Sequence, residues 1–224
     1  MEQEYSTMNI PVILFGNGEP PTHPSVIRYI NEAKTYICLD GGVDTLITLG
    51  HKPDYVLGDL DSIKRSEDEY DCQIISLEDQ SMTDLEKSIL WCYENAIKEL
   101  YLIGVSGLRD DLSMATFWIL LKFAGKMKIT LLSNHSKINC IKNKTIFDTS
   151  PGQVVSLIPS SSDTKITTSG LQYTLQKEKL SMPTQGISNV AINTSFSIEA
   201  TDWVWVDYAS ATERGALIRP RVLT

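Results

Sequence analysis

The sequence is poor in cysteine and has no long apolar run. Its four cysteines, Cys38, Cys72, Cys92 and Cys140, lie too far apart for a CxxC metal motif or a small disulfide framework. We therefore expect reduced thiols in a cytoplasmic protein. No stretch approaches the roughly 18 apolar residues of a membrane span. Residues 1–9 are too polar for a signal or transit peptide, so we expect neither.

Positive charge and the common catalytic motifs are also scarce. Twenty Lys and Arg against 28 Asp and Glu give a formal net charge of -8, which argues against a nucleic-acid or acidic-membrane surface. The P-loop, GxGxxG, HExxH and GxSxG patterns are absent. The three histidines, His23, His51 and His135, have no metal-ligand spacing. An acidic protein can still bind a phosphate through magnesium.

The first part of the chain alternates short apolar runs with helical patterns, and this rhythm predicts an α/β domain with a mostly parallel sheet over residues 1–137. Most of the apolar runs are continuous, as expected for strands buried on both faces. A helix is predicted over residues 83–98, with Thr83 as its N-cap, and a second, largely buried helix over 112–123. The predicted strands cover residues 12–15, 36–39, 54–57, 73–77, 100–103 and 128–132.

The remaining residues, 138–224, have a different pattern. Helical periodicity is replaced by short alternating stretches between Asn, Gly, Pro and Ser clusters. This pattern predicts an all-β sandwich domain, with strands at 195–200 and 203–206.

Carboxylates follow two of the predicted strands. Asp40 begins an Asp-Gly-Gly segment, while Asp59 and Asp61 lie two residues apart after Gly58. In an extended segment both of these side chains point to one side, where they can share a hard cation such as magnesium. Ligands of open parallel sheets bind at this edge. The alternative is that these residues only form turns.

Two further segments join a strand to a helix. Residues 79–87 place Gln80 and Asp84 at a helix start, where free backbone N–H groups favour an anion, with Lys87 one turn later. Residues 104–111 place Arg109 beside flexible glycines, which suits phosphate contact. A simple helix cap for the first segment and a surface ion pair for the second are the alternatives.

Taken in order, these segments resemble the thiamine pyrophosphokinase family. The ordered set is Asp-Gly-Gly, Pro-Asp-x-x-x-Gly-Asp-x-Asp-Ser, Asp-Gln-x-x-Thr-Asp-x-x-Lys and Gly-x-x-Gly-x-Arg-x-Asp. In the second half, residues 168–175 resemble the family's Thr-x-Gly-Leu-x-aromatic-x-Leu segment, and Ser188-Asn189 resembles its Ser-Asn pair. The resemblance implies magnesium-dependent transfer of a diphosphoryl group from ATP to thiamine, giving thiamine diphosphate and AMP.

The resemblance also assigns roles to individual residues. The metal ligands are Asp59, Asp61 and Asp84, with Gln80 near the reacting end and in contact with thiamine. Asp84 is our hypothesis for the group that accepts the alcohol proton. Tyr173 stacks on thiamine, and Ser188 with Asn189 contacts its pyrimidine edge. Because the family's thiamine site lies between two subunits, we expect a homodimer. Charge on the phosphates is offset by Arg109, and the ATP pocket is further shaped by Asp40, Gly41, Gly42, Lys87 and Asp111.

Several positions depart from the family pattern. Asp44 adds a negative charge, Leu112 and Thr116 stand where the family has His and Asn, Tyr173 replaces a Trp, and Gly186 replaces a frequent Ser. We expect the changes at Asp44, Leu112 and Thr116, which fall on the nucleotide side, to affect nucleotide affinity or donor preference. Two alternatives stay open: a magnesium-dependent nucleotide or diphosphate hydrolase, and a thiamine-binding dimer that has lost turnover.

Overall fold

A computed structural model gives the structure of the chain and describes residues 8–58 and 70–209. The chain divides into two compact units, Met1–Asn134 and His135–Thr224. The predicted boundary, after residue 137, lies three residues later. Within the described residues, no helix is both long and apolar enough to cross a membrane.

The first unit is built around one parallel sheet, as the sequence predicts. The strands are β1 Val12–Phe15, β2 Thr35–Leu39, β3 Tyr55–Gly58, β4 Gln73–Ser76, β5 Glu99–Ile103 and β6 Lys128–Leu132. They lie side by side in the order β6-β5-β1-β2-β3-β4. The predicted and observed bounds agree at β1 and β6, and the ends of the other strands differ by at most one residue.

The strand order reverses beside β1. From β1 the chain adds β2, β3 and β4 on one side, whereas β5 and β6 lie on the other. The connections that follow β1 and β5 therefore run to opposite sides of the sheet. Such a reversal point is where open α/β sheets bind their ligands.

The helices of this unit are α1 Pro24–Glu32, α2 Gly42–Thr48, α3 Asp84–Glu94 and α4 Asp110–Phe123. Thr83 is the N-cap of α3, as predicted, and its hydroxyl accepts a hydrogen bond from the Glu86 N–H at 3.3 Å. The helix predicted to reach residue 98 ends at Glu94 because Ala96 takes the left-handed conformation, with φ +61.

Helix α4 is less buried than its composition predicts. Ile119, Leu120 and Phe123 are buried, but Met114 and Trp118 are 67% and 60% exposed. The prediction of a largely buried helix is therefore wrong for this outer face. A helix that is apolar all round needs cover on every side, and within the described residues of this unit one side of α4 has none.

The second unit is all-β. Its strands are β7 Lys137–Asp148, β8 Val154–Pro159, β9 Lys165–Ser169, β10 Glu178–Lys179, β11 Asn189–Val190 and β12 Ser195–Tyr208. Strand β12 pairs with β7 along most of its length, with β9 through residues 197–200 and with β8 through residues 204–208. The change from β9 to β8 occurs at an irregularity between Ala200 and Val204, which is how a long strand passes from one layer of a sandwich to the other.

Candidate active site

A cleft of about 620 Å³ opens at the carboxyl edge of the parallel sheet. It lies at the reversal point beside β1, and it is bounded by the loops after β1, β2 and β5 together with the first turns of α3 and α4. Its lining residues, hereafter the cleft, are Gly16, Asn17, Gly18, Leu39, Asp40, Thr83, Asp84, Leu85, Gly104, Val105, Ser106, Leu108, Arg109, Leu112, Ala115, Thr116 and Ile119.

Two glycine-containing loops form the floor of the cleft. The Gly16 N–H donates to the Ile103 carbonyl at 2.8 Å, and the Gly18 N–H donates to the Gly104 carbonyl at 2.5 Å. A Cβ atom at Gly16 would lie 2.6 Å from the Gly104 oxygen, so only glycine allows this approach. Residues 16–18 are not among the predicted site residues, although the Gly-x-Gly spacing directly after the first strand is a usable signal.

Asp40 reaches across the sheet edge toward the end of β3. It is 8% exposed, and its backbone is left-handed, with φ +36. A Cβ atom at Gly58 would lie 2.2 Å from Oδ1 of Asp40, so the Asp40 carboxylate packs directly against the Gly58 backbone. Keeping a buried acidic residue in a strained conformation is typical of functional sites. Asp40 therefore lies in the cleft next to the segment that continues into Asp59.

Asp84 is the first residue of α3 and also lines the cleft. Its Oδ1 lies 2.7 Å from Nζ of Lys87, one helical turn away. Lys87 is only 5% exposed, and its ammonium also donates to the Leu77 carbonyl at 2.9 Å. Lys87 does not line the cleft. Its contacts fix the orientation of the Asp84 carboxylate and tie α3 to the segment that follows β4.

Arg109 lines the cleft at the start of α4 and forms a bidentate pair with Asp111. Nε lies 3.1 Å from Oδ1 and Nη2 lies 2.6 Å from Oδ2. The hydrogen bond from Arg109 lowers the pKa of the Asp111 carboxyl, and Asp111 in turn raises the pKa of Arg109. Asp111 thus holds the guanidinium in place, while the remaining N–H donors of Arg109 are available to an anion.

Other predicted residues lie outside the lining of the cleft. Gln80 is exposed in the turn before α3. Gly41 caps α2, and Gly42 packs against the end of β1, where an added Cβ would be 2.6 Å from the Phe15 carbonyl. The predicted metal ligands Asp59 and Asp61 lie outside the described residues.

The predicted thiamine contacts lie together in the second unit. Tyr173 is 51% exposed. Asn189 binds its backbone: Oδ1 accepts from the Tyr173 N–H at 3.0 Å, and Nδ2 donates to the Tyr173 carbonyl at 2.7 Å. Ser188 is exposed and left-handed, with φ +64, and its N–H donates to Oγ of Ser156 at 3.1 Å. A serine kept in this conformation carries a backbone cost of about 1–2 kcal/mol, which suggests a use for its hydroxyl.

Comparison with known proteins gives the family. Residues 26–131 match the profile described as thiamin pyrophosphokinase, catalytic domain, and residues 135–205 match the profile described as thiamin pyrophosphokinase, vitamin B1 binding domain. The chain belongs to the thiamin pyrophosphokinase family. A thiamin pyrophosphokinase 1 from Caenorhabditis elegans is 24% identical over 221 residues, covering 87% of this chain and 91% of the relative.

Solved structures of the thiamin pyrophosphokinase family have the same fold. The enzyme from Bacillus subtilis superposes with a TM-score of 0.77 at 23% identity, covering 90% of this chain and 99% of the other. The enzyme from Candida albicans gives 0.74 at 19% identity, covering 88% of each chain. These likenesses confirm the predicted fold class, an α/β domain followed by an all-β sandwich.

The structure explains some departures from the family pattern. Leu112 and Thr116 both line the cleft, and the Thr116 hydroxyl donates to the Leu112 carbonyl at 2.8 Å. Asp44 does not line the cleft, and its Oδ1 accepts from the Tyr70 hydroxyl at 3.1 Å. A Cβ atom at Gly186 would lie 2.0 Å from the Leu157 carbonyl, so this backbone has no room for the serine that is frequent in the family.

Proposed function

We propose that this chain transfers the diphosphoryl group of ATP to the primary alcohol of thiamine, producing thiamine diphosphate and AMP. The observation that carries the proposal is the match of one chain to both the catalytic and the vitamin B1 binding domain of the family. The cleft supports it, since acidic, basic and glycine-rich segments meet at the edge of the sheet where phosphate ligands bind. No observation favours the hydrolase or the inactive binding protein.

The proposed metal ligands are Asp59, Asp61 and Asp84, holding magnesium. Asp40 and Asp84 bring carboxylates to the cleft, and Gly58 leads directly into Asp59. Oxygen donors of this kind suit magnesium. The described residues alone contain no group of three potential ligands, so the proposed set depends on residues beyond them. When bound, magnesium neutralises charge on the phosphates of ATP.

The chemistry of the transfer needs positioning and one proton acceptor. The thiamine hydroxyl oxygen attacks the β-phosphorus of ATP, and the bond from that phosphorus to the oxygen bridging to the α-phosphorus breaks. AMP leaves with the bridging oxygen, and the alcohol proton passes to a base. We assign the base to Asp84, whose carboxylate Lys87 holds in the cleft. An Asp84→Asn enzyme with full turnover would refute this assignment.

The remaining assignments concern the nucleotide. We propose that Arg109 contacts the phosphates, because its guanidinium lines the cleft and is oriented by Asp111. Asp40 lines the same cleft. We also propose that Gly41, Gly42 and Lys87 act from behind the cleft, through the packing of α2 and the orientation of α3, with Gln80 meeting both substrates at the reacting end.

Exposed apolar side chains in both units support a homodimer. Tyr173, Ile187 and Ile192 are 51%, 45% and 54% exposed in the second unit, and Met114 and Trp118 are exposed on α4 of the first. Large exposed apolar side chains beside candidate sites are typical of interaction surfaces. We propose that these surfaces contact a second copy and that Tyr173 stacks on the cationic rings of thiamine, with Ser188 at the pyrimidine edge.

A cytoplasmic location completes the proposal. All four cysteines lie in the described residues and are free thiols. Burial raises the pKa values of Cys38 and Cys92 and raises that of Cys140 to about 12, so these thiols are held in the protonated form. Unpaired thiols are typical of a reducing compartment.

AMP formation tests the function directly. Purified protein is incubated with ATP and magnesium, with and without thiamine, and the Asp59→Asn, Asp61→Asn double variant serves as the control. We expect AMP only when thiamine is present and none from the double variant. AMP or phosphate released regardless of thiamine would establish the hydrolase. Thiamine binding without any product would establish the inactive binding protein.

A further inference from the structure

Tyr173 lies in a loop that pairs with the segment around Asn189. Leu171 forms an antiparallel bridge with Ala191, the Gln172 N–H donates to the Val190 carbonyl at 2.8 Å, and the Ile192 N–H donates to the Gly170 carbonyl at 2.9 Å. Backbone pairing therefore holds residues 170–172. The backbone pairing stops just before Tyr173, whose backbone N–H and carbonyl are instead hydrogen-bonded by a side chain.

That side chain is Asn189, and its amide is almost fully used within the protein. Oδ1 accepts from both the Tyr173 N–H at 3.0 Å and the Val190 N–H at 2.8 Å, and Nδ2 donates to the Tyr173 carbonyl at 2.7 Å. An amide oxygen has two lone pairs, so these two donors saturate it. The two N–H donors also fix which end of the amide is oxygen, since the flipped amide would place its NH₂ group against both of them.

We infer that Asn189 is a positioning residue that sets the backbone of Tyr173, and through it the ring, rather than a direct contact of the thiamine pyrimidine. This inference rests on the proposed function, in which Tyr173 stacks on thiamine. A saturated Oδ1 cannot also accept a hydrogen bond from the amino group of the pyrimidine. The half-exposed ring of Tyr173, by contrast, is set in place by the backbone that Asn189 holds on both its N–H and its carbonyl.

A double-mutant cycle on thiamine binding tests the inference without relying on turnover. The thiamine Kd is measured by calorimetry for Asn189→Ala, for Tyr173→Ala and for the double variant. Asn193→Ala is the matched control, because it makes the same substitution at an exposed asparagine in the connection that leads to β12.

If Asn189 acts through Tyr173, both single variants raise the Kd by about 3- to 10-fold, the scale of one aromatic contact. The double variant is then no weaker than Tyr173→Ala, because the two residues contribute one interaction. We expect Asn193→Ala to bind like the wild type.

A ligand change separates positioning from direct contact. The analogue with an oxo group in place of the pyrimidine amino group is compared with thiamine on the wild type and on Asn189→Ala. We expect the preference for thiamine to be the same in both proteins. A lost preference, or additive effects in the cycle, would overturn the inference even if the wild type forms AMP normally. The expected binding pattern without AMP formation would instead leave the inference standing and refute the catalytic proposal.

Discussion

Replacing Gly58 with alanine should disable the cleft through a single contact. The added Cβ would lie 2.2 Å from Oδ1, 2.6 Å from Cγ and 3.0 Å from Oδ2 of Asp40. These separations are far inside van der Waals contact, so the carboxylate has to leave its position. Asp40 is 8% exposed and already left-handed, which leaves it few alternative conformations.

The magnitude has two parts. The backbone of Gly58 has φ +151, a region disfavoured for residues with a side chain, and such strain costs about 1–3 kcal/mol. Overpacking against the carboxylate adds about 1–3 kcal/mol. We therefore expect Gly58→Ala to lower the free energy of unfolding by about 2–6 kcal/mol. Because Asp40 moves out of the cleft, AMP formation should fall by about 100-fold or more, the scale expected for an active-site displacement of 1 Å.

Gly50 provides the matched control. It also has a positive φ, +85, but a Cβ atom there meets nothing within 4 Å. Gly50→Ala should therefore cost only the backbone strain and keep full turnover. The double variant Asp40→Ala, Gly58→Ala should have a free energy of unfolding lower than that of Asp40→Ala by no more than the backbone strain at residue 58, because the clashing carboxylate is gone. Urea unfolding followed by tryptophan fluorescence and the AMP assay measure both quantities. Equal stability losses for Gly58→Ala and Gly50→Ala, with normal turnover, would refute the contact.

Three further substitutions probe the helix starts. Lys87→Met should raise the magnesium concentration needed for half-maximal AMP formation and cost about 1–3 kcal/mol of stability, because Asp84 loses its ion pair and the Leu77 carbonyl its donor; an unchanged magnesium titration would contradict this. Arg109→Lys should lower turnover about tenfold, since lysine cannot replace a bidentate guanidinium, and ATP titrations would detect it. Ser88→Ala should raise stability by about 1 kcal/mol in thermal melts, because its buried hydroxyl has no partner among the described residues.

The sheet of the first unit could be predicted because most of its strands are buried, and the exception is the edge strand β4. A short, continuous apolar run between turn residues is typical of a buried strand, and the bounds of Val12–Phe15 and Lys128–Leu132 agree with the prediction. The outer face of α4 could not be predicted in the same way. Its sequence shows that Met114 and Trp118 are apolar, but only the packing of the chain decides whether anything covers them.

The candidate site was predictable where chemistry coincided with a strand end. Asp40 directly follows β2 and Asp84 opens the helix after β4, and both reach the cleft because parallel strands bring their carboxyl ends to one edge. Residues 16–18 were missed for the opposite reason. Their role comes from hydrogen bonds to Ile103 and Gly104, and that neighbourhood exists only because the strand order places β1 beside β5. The Gly-x-Gly spacing marks a tight turn, but it does not identify the loop that the turn meets.

The role of a polar residue is set by the partners that its atoms already have. Lys87 and Asn189 both stand in motifs that the sequence assigns to ligands, yet the ammonium of Lys87 is used by Asp84 and Leu77, and the amide oxygen of Asn189 by two backbone N–H groups. A buried donor or acceptor that is taken from such a partner costs about 1–3 kcal/mol. A ligand would have to offset that cost before it gained any affinity. We therefore expect residues of this kind to serve the reaction by holding the groups that touch the substrates.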